Sequence, residues 1–179
     1  MDLRQQKTKR SIINAFLRLR SKKPLEKITV RELSELAEIH KATFYLHYHD
    51  IYELSESLER ELIESILAGI SDPASFLTNT ERFNEELYCL LISHESMLGI
   101  LFSGSRAGLL ADMLEKHIKN YIFNFFPEYR DDPQKNIILT YLIQGSYRAY
   151  MQYYRTTDDP KQLVHLINSV SADILQKIF

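Results

Sequence analysis

Residues 29–48, TVRELSELAEIHKATFYLHY, constrain this chain more than any other stretch. Thr29 followed three residues later by Glu32 is a capping box, which predicts a helix from Val30 with the Thr29 hydroxyl accepting an early amide and Glu32 reaching back. Leu33, Leu36 and Ala37 supply its buried face, and Arg31, Glu32, Ser34 and Glu35 are expected outside. A break falls at Glu38-Ile39-His40, with Ile39 as an apolar plug between two helices that meet steeply. Lys41 to Tyr48 then makes about two turns, with Phe44 and Tyr48 facing inward. Lys41, Ala42, Thr43, Tyr45 and His47 are left on the outside.

Folding alone has little use for a short helix that displays a cation, two hydroxyls, a methyl and an imidazole. Hydroxyls suit phosphate oxygens and base edges, and Ala42 with the Thr43 methyl matches a thymine methyl. With its continuation H-D-I-Y-E-L to Leu54, the stretch resembles the helix-turn-helix of the tetracycline-repressor (TetR/AcrR) family. The similarity is motif-grade over residues 7–54 and architectural beyond them.

Charge is distributed unevenly. Residues 1–50 hold 11 Lys/Arg against 6 Asp/Glu, net +5, and residues 51–179 hold 11 against 18, net −7. A basic head on an acidic body fits a polyanion binder, although an uneven solvated surface would look the same. The single cysteine, Cys89, lies among apolar neighbours, which argues against a disulfide scaffold and fits a reducing compartment. No secretory leader or apolar run of spanning length stands out, so a cytoplasmic protein without a membrane partner is expected.

The pattern is all-α throughout, with about nine helices expected: a three-helix head over residues 1–50 and a helical body over 51–179. Lys7 to Ser21 carries an apolar stripe of Ile12, Ile13, Phe16, Leu17 and Leu19, with Lys9, Arg10, Arg18 and Arg20 off it, and Pro24 ends the segment. Asp50 with Glu53 repeats the cap signal and predicts a long connecting helix from Ile51 to about Ile70. Thr78 with Glu81 opens another helix, Arg106 to Phe126 forms a further one, and Ser103-Gly104-Ser105 reads as a turn. Pro133 and Pro160 sit at first helical positions of the last two helices, roughly Pro133 to Arg155 and Pro160 to Lys177. Their stripes, Ile138, Leu142, Gly145 and Ala149 on one and Leu163, Ile167, Val170, Ile174 and Ile178 on the other, either cover the chain's own core or meet a symmetry mate in a four-helix interface.

The resemblance implies a DNA-binding regulator, repression being the family habit, that dimerises through those last two helices on a palindromic operator. It implies that Arg31 and Lys41 reach base edges, that Thr43 and Tyr45 share phosphate and base contacts, and that Thr29 and His47 hold phosphates. Three positions depart from the family pattern: Glu38 replaces the usual turn glycine, His40 the serine-type cap, and Ile51 a phosphate-binding lysine. Glu38 should cost about 1 kcal/mol if its backbone is left-handed. The family also usually senses a small-molecule inducer in the body. Tyr88, Met97, Phe102, Met113, His117, Tyr121, Tyr141, Tyr147 and Arg148 are the candidate lining, with Arg148 and His117 hinting at an anionic group and the aromatics at a flat or greasy one.

Catalysis and metal chemistry find little support. Cys89 has no obvious base, no Ser/His/Asp ordering or glycine-rich phosphate loop stands out, and His47 and His49 point to different helix faces. No cofactor, metal or enzymatic activity is expected. The rival is a non-enzymatic helical adaptor whose basic head binds an acidic protein or a membrane surface, a reading that leaves Lys41, Thr43 and Tyr45 unexplained.

Overall fold

The computed structural model describes residues 3–72 and 74–175, which places Ile178 and the end of the expected last helix outside the described residues. Among those residues the chain is all-α, with ten helices and no strand. They are α1 (Leu3–Arg20), α2 (Val30–Leu36), α3 (Lys41–Tyr45), α4 (Ile51–Ala68), α5 (Ser75–Thr78), α6 (Thr80–Ser93), α7 (Glu95–Leu101), α8 (Leu109–Phe125), α9 (Pro133–Tyr153) and α10 (Pro160–Leu175). Short 3-10 turns occupy Leu25–Lys27, Gly104–Arg106 and Pro127–Tyr129. The helix beyond the expected nine is the single turn α5. It also displaces the predicted cap: Asn79, not Thr78, accepts from the Arg82 amide at 3.2 Å and opens α6.

Two compact units emerge, one drawn from residues up to 62 together with 95–108, the other from 63–94 and from 109 onward. The boundary therefore falls inside α4 and not at the expected junction of residues 50 and 51, and the chain passes between the units three times. In the first unit α1 packs on α2 and α7, and α2 on α3. Ile12, Phe16, Leu25, Leu33, Phe44, Leu54 and Leu101 are its fully buried apolar side chains.

Polar tethers hold residues 95–108 within this first unit. Arg20, expected off the apolar stripe of α1, is buried instead, and its guanidinium donates to the carbonyl oxygens of Ser103 (2.8 Å) and Leu101 (3.4 Å). Arg106, expected inside a helix, lies in the Gly104–Arg106 turn and clamps the fully buried Glu59 of α4 with two guanidinium hydrogen bonds, Nε to Oε1 at 3.0 Å and Nη2 to Oε2. The Ser55 hydroxyl donates a third at 2.8 Å. The Ser105 hydroxyl donates to Glu26, which with the backbone bond of Glu26 holds that carboxyl below its ordinary range. Gly104 makes the turn possible at φ 57°, a left-handed conformation that costs glycine little. Three separate polar ties thus fasten a mid-chain segment to the first unit.

In the second unit α8 packs on α9, α10 on α6 and α9, and α5 on α6. The last two helices start at Pro133 and Pro160 as expected, and Asp132 and Asp159 cap them, accepting from the amides of Lys135 (3.1 Å) and Lys161 (3.0 Å). Tyr88 of α6 stacks on Tyr150 of α9 with ring centroids 3.8 Å apart and planes within 2°. The side chain of Asn84 donates to Asn168, joining α6 to α10 in the interior.

Candidate nucleic-acid interface

The helix pair at residues 29–48 forms as its pattern predicts, with two local differences. Thr29 Oγ1 accepts from the Glu32 amide at 3.2 Å, but the Glu32 carboxylate turns to the ammonium of Lys23 and not back to Thr29. Ser34, expected outside, is buried beside Leu33, because α2 packs on both α1 and α3. Between the helices, Glu38 sits at φ 56°. The Ile39 amide donates to Ser34 O at 3.0 Å and the Glu38 amide to Glu35 O at 3.3 Å, the two crossed bonds of a Schellman C-cap. Glycine normally occupies that left-handed position. His40 precedes α3 in an extended conformation with no side-chain cap bond, as its replacement of a serine-type residue implies.

The helical core of α3 is one turn shorter than expected, ending at Tyr45, but the His47 and Tyr48 amides continue to donate to Phe44 O at 2.9 and 3.0 Å. Phe44 is fully buried and Tyr48 nearly so, their rings 6.0 Å apart. The Tyr48 hydroxyl has no partner among the described residues, and burial, with Glu61 and Glu53 nearby, pushes it up to about 12. These two rings anchor the helix and fix its rotation.

That rotation leaves Lys41, Ala42 and Tyr45 exposed and Thr43 and His47 half-exposed. Tyr45 is 57% exposed although its ring meets the edge of Phe44 at 5.5 Å. Thr29 at the start of α2 and Arg31 on it are exposed, and Arg31 Nε pairs with Glu35 at 2.9 Å. Leu46 escaped the sequence reading. It is 84% exposed at the end of α3, more than any other large apolar residue described. The available signal was its place between Tyr45 and His47, both already assigned outward. Beside it a polar recess of about 340 Å³ is lined by Lys9, His47, Glu53, Ser57 and Arg60. Ile51 is buried, so its side chain takes no phosphate, while Asp50 Oδ1 accepts from the Glu53 amide at 2.8 Å.

No family model matches the sequence and no curated protein matches it. Solved structures do. One is a protein from Shewanella sp. PV-4 provisionally placed in the TetR family of transcription regulators, with TM-score 0.61, 13% identity, and 95% of this chain and 97% of that one covered. Another is the TetR-family repressor AlkX from Dietzia sp. strain DQ12-45-1b, implicated in biodegradation of n-alkanes, with TM-score 0.54, 17% identity, and 94% and 97% covered. The chain has the TetR fold.

Within that TetR fold the candidate inducer-binding residues scatter. Met97 is half-buried and Phe102 buried in the first unit, Tyr141 and Arg148 are exposed on α9, and Tyr147 and Met113 are half-buried. Tyr88 is buried with an unpartnered hydroxyl that burial and neighbouring Tyr150 push upward. His117 and Tyr121 share the wall of a cavity of about 330 Å³ inside the second unit, and Tyr88 and Tyr147 line a separate space of only about 20 Å³. Seven of the eight candidate interface residues, Leu142, Gly145, Ala149, Leu163, Ile167, Val170 and Ile174, line one groove of about 600 Å³ along α9 and α10; Ile138 lies outside it. Leu142 and Ile167 are buried at its base, whereas Tyr141 (67% exposed), Leu166 (57%) and Val170 (60%) form its open edges. Sequence reading missed Leu166 because it took one residue per turn as the stripe. Among the described residues no single helix is long and apolar enough to cross a membrane.

Proposed function

We propose that the chain is a transcriptional regulator, a ligand-responsive repressor in the cytoplasm, that binds a palindromic duplex as a homodimer. The observation that carries the reading is the surface of α3: two buried aromatic anchors hold a short helix whose free side offers a cation, two hydroxyls and small apolar groups and supports no other part of the fold. Lys41 and Arg31 meet guanine O6 and N7, Ala42, the Thr43 methyl and Leu46 meet thymine methyls, and Tyr45, His47 and Thr29 hold phosphates. The exposed apolar edges of α9 and α10 supply the partner contact, since a surface carrying Tyr141, Leu166 and Val170 is poorly matched to water.

A two-fold pair of heads requires inverted half-sites with centres about 34–36 Å apart or a multiple of that. With about six phosphates neutralised per dimer, log affinity falls against log salt with a slope near about −5. The deciding experiment selects duplexes from a random pool and repeats the binding with Lys41→Ala and Tyr45→Ala. One selected palindrome bound at least about tenfold more weakly by each variant supports the reading, a loss of about 1–3 kcal/mol per base contact being expected. No preference over scrambled duplex, with binding to acidic surfaces instead, would leave the adaptor.

A further inference from the structure

The cavity lined by His117 and Tyr121 carries a few polar groups that define its occupant. Its floor and walls are apolar, from Leu67, Ile70, Phe76, Phe83, Ile118 and Ile122, with Phe76 and Phe83 meeting edge to face at 5.2 Å. Its volume of about 330 Å³ lies at the small end of the range for ligand sites. Three polar side chains reach it: Glu64, His117 and Tyr121. His117 Nδ1 lies 2.8 Å from Met113 O, and because a carbonyl only accepts, Nδ1 carries a proton, the tautomer in which Nε2 is left as the acceptor. Glu64 is exposed at the rim, and its carboxylate also only accepts. No lysine or arginine lines the cavity, and Arg148, which had hinted at an anionic ligand, is elsewhere on α9.

We propose that this cavity binds a small amphipathic amine: an apolar chain or ring system in the pocket formed by Phe76, Phe83 and Ile122, and a protonated nitrogen held between Glu64 and His117. A carboxylate head would face a like charge with no cation to offset it. A neutral alcohol satisfies one acceptor and leaves the charge of Glu64 unused. The Tyr121 ring adds a face on which a cation is favoured. As the inducer of the proposed regulator, the amine depends on that reading; as a ligand of this cavity, it does not.

Calorimetric titration of the full chain without DNA separates the two, using decylamine, decanol and decanoate at sub-micellar concentrations. Decylamine is expected to bind about tenfold more tightly than decanol, with decanoate weakest, because a charge-assisted contact distinguishes them. Glu64→Gln should bring amine and alcohol to parity while preserving the fold, since the residue is exposed. Ala68→Trp, which places an indole in the cavity, should remove binding of all three. Decanoate binding as tight as the amine, amine affinity unchanged in both variants, or no amine binding would overturn the proposal. Amine binding by a chain that selects no duplex would uphold the cavity assignment and remove only the regulator.

Discussion

Glu59 has no solvent exposure, and the Arg106 side chain that clamps it is only 16% exposed, so neither charge can be replaced by water without opening the first unit. Glu59→Ala leaves two guanidinium donors unmatched, with only the exposed Glu56 at 3.7 Å as a remaining carboxylate, and Arg106→Met leaves the Glu59 carboxylate with only the Ser55 hydroxyl. Each single change is expected to cost about 3–5 kcal/mol, the usual penalty for stranding one member of a buried pair. Glu59→Leu with Arg106→Met removes both charges and fills the space with apolar atoms. It should fall within about 1–2 kcal/mol of the parent, since the desolvation of both ions is no longer incurred. Urea unfolding followed by far-ultraviolet circular dichroism reads all three through the transition midpoint at constant slope. A loss below about 1 kcal/mol in Glu59→Ala would refute the argument, because a loss that small is typical of a solvated surface pair. Additive single effects in the double variant would refute it equally, showing that the two residues act on stability separately.

Three further outcomes follow from local geometry. Glu38→Gly should stabilise the chain by about 0.5–1 kcal/mol, the left-handed penalty of about 1–2 kcal/mol less the added entropy of the unfolded chain, while Glu38→Ala gains nothing; thermal midpoints compare them. In the second unit, burial works to raise the Glu115 carboxyl, but hydrogen bonds from Lys119 (2.8 Å), Thr140 (2.6 Å) and Gln144 (2.9 Å) outweigh it and hold it below the ordinary 4.5. A depressed folded value means its stability is fully present above 4.5 and is lost as pH falls through the folded value, so Glu115→Gln should flatten the acid limb of a stability–pH profile and leave a weaker slope there. Val170→Glu should dissociate the proposed dimer without unfolding the subunit, because Val170 is 60% exposed; sedimentation unchanged from the parent would move the interface elsewhere.

Where a signal is local the sequence sufficed, and where it depends on what packs opposite it did not. The caps at Thr29 and Asp50 were readable because a side-chain oxygen and an amide three residues on are joined by the backbone itself, and Pro133 and Pro160 marked the helix starts that Asp132 and Asp159 cap. Glu38 was placed by the resemblance, which marks it as a residue at a turn position usually held by glycine, and its φ of 56° is the backbone conformation that glycine would favour there. Arg20 and Arg106 were misplaced because hydropathy treats arginine as solvated, whereas carbonyls of Leu101 and Ser103 and the carboxylate of Glu59, each more than 40 residues away in sequence, make burial favourable. The same limit governs α9 and α10. Periodicity identifies an apolar stripe, but a stripe broad enough to include Leu142, Ile167, Leu166 and Val170 has two edges, and only the position of the neighbouring helices decides which edge is buried. On α10 the inner edge is occupied by Ile167 and Asn168, which bonds to Asn84, so Leu166 and Val170 are turned outward together. Those outward residues, and not the centre of the stripe, are where a substitution can distinguish assembly from folding.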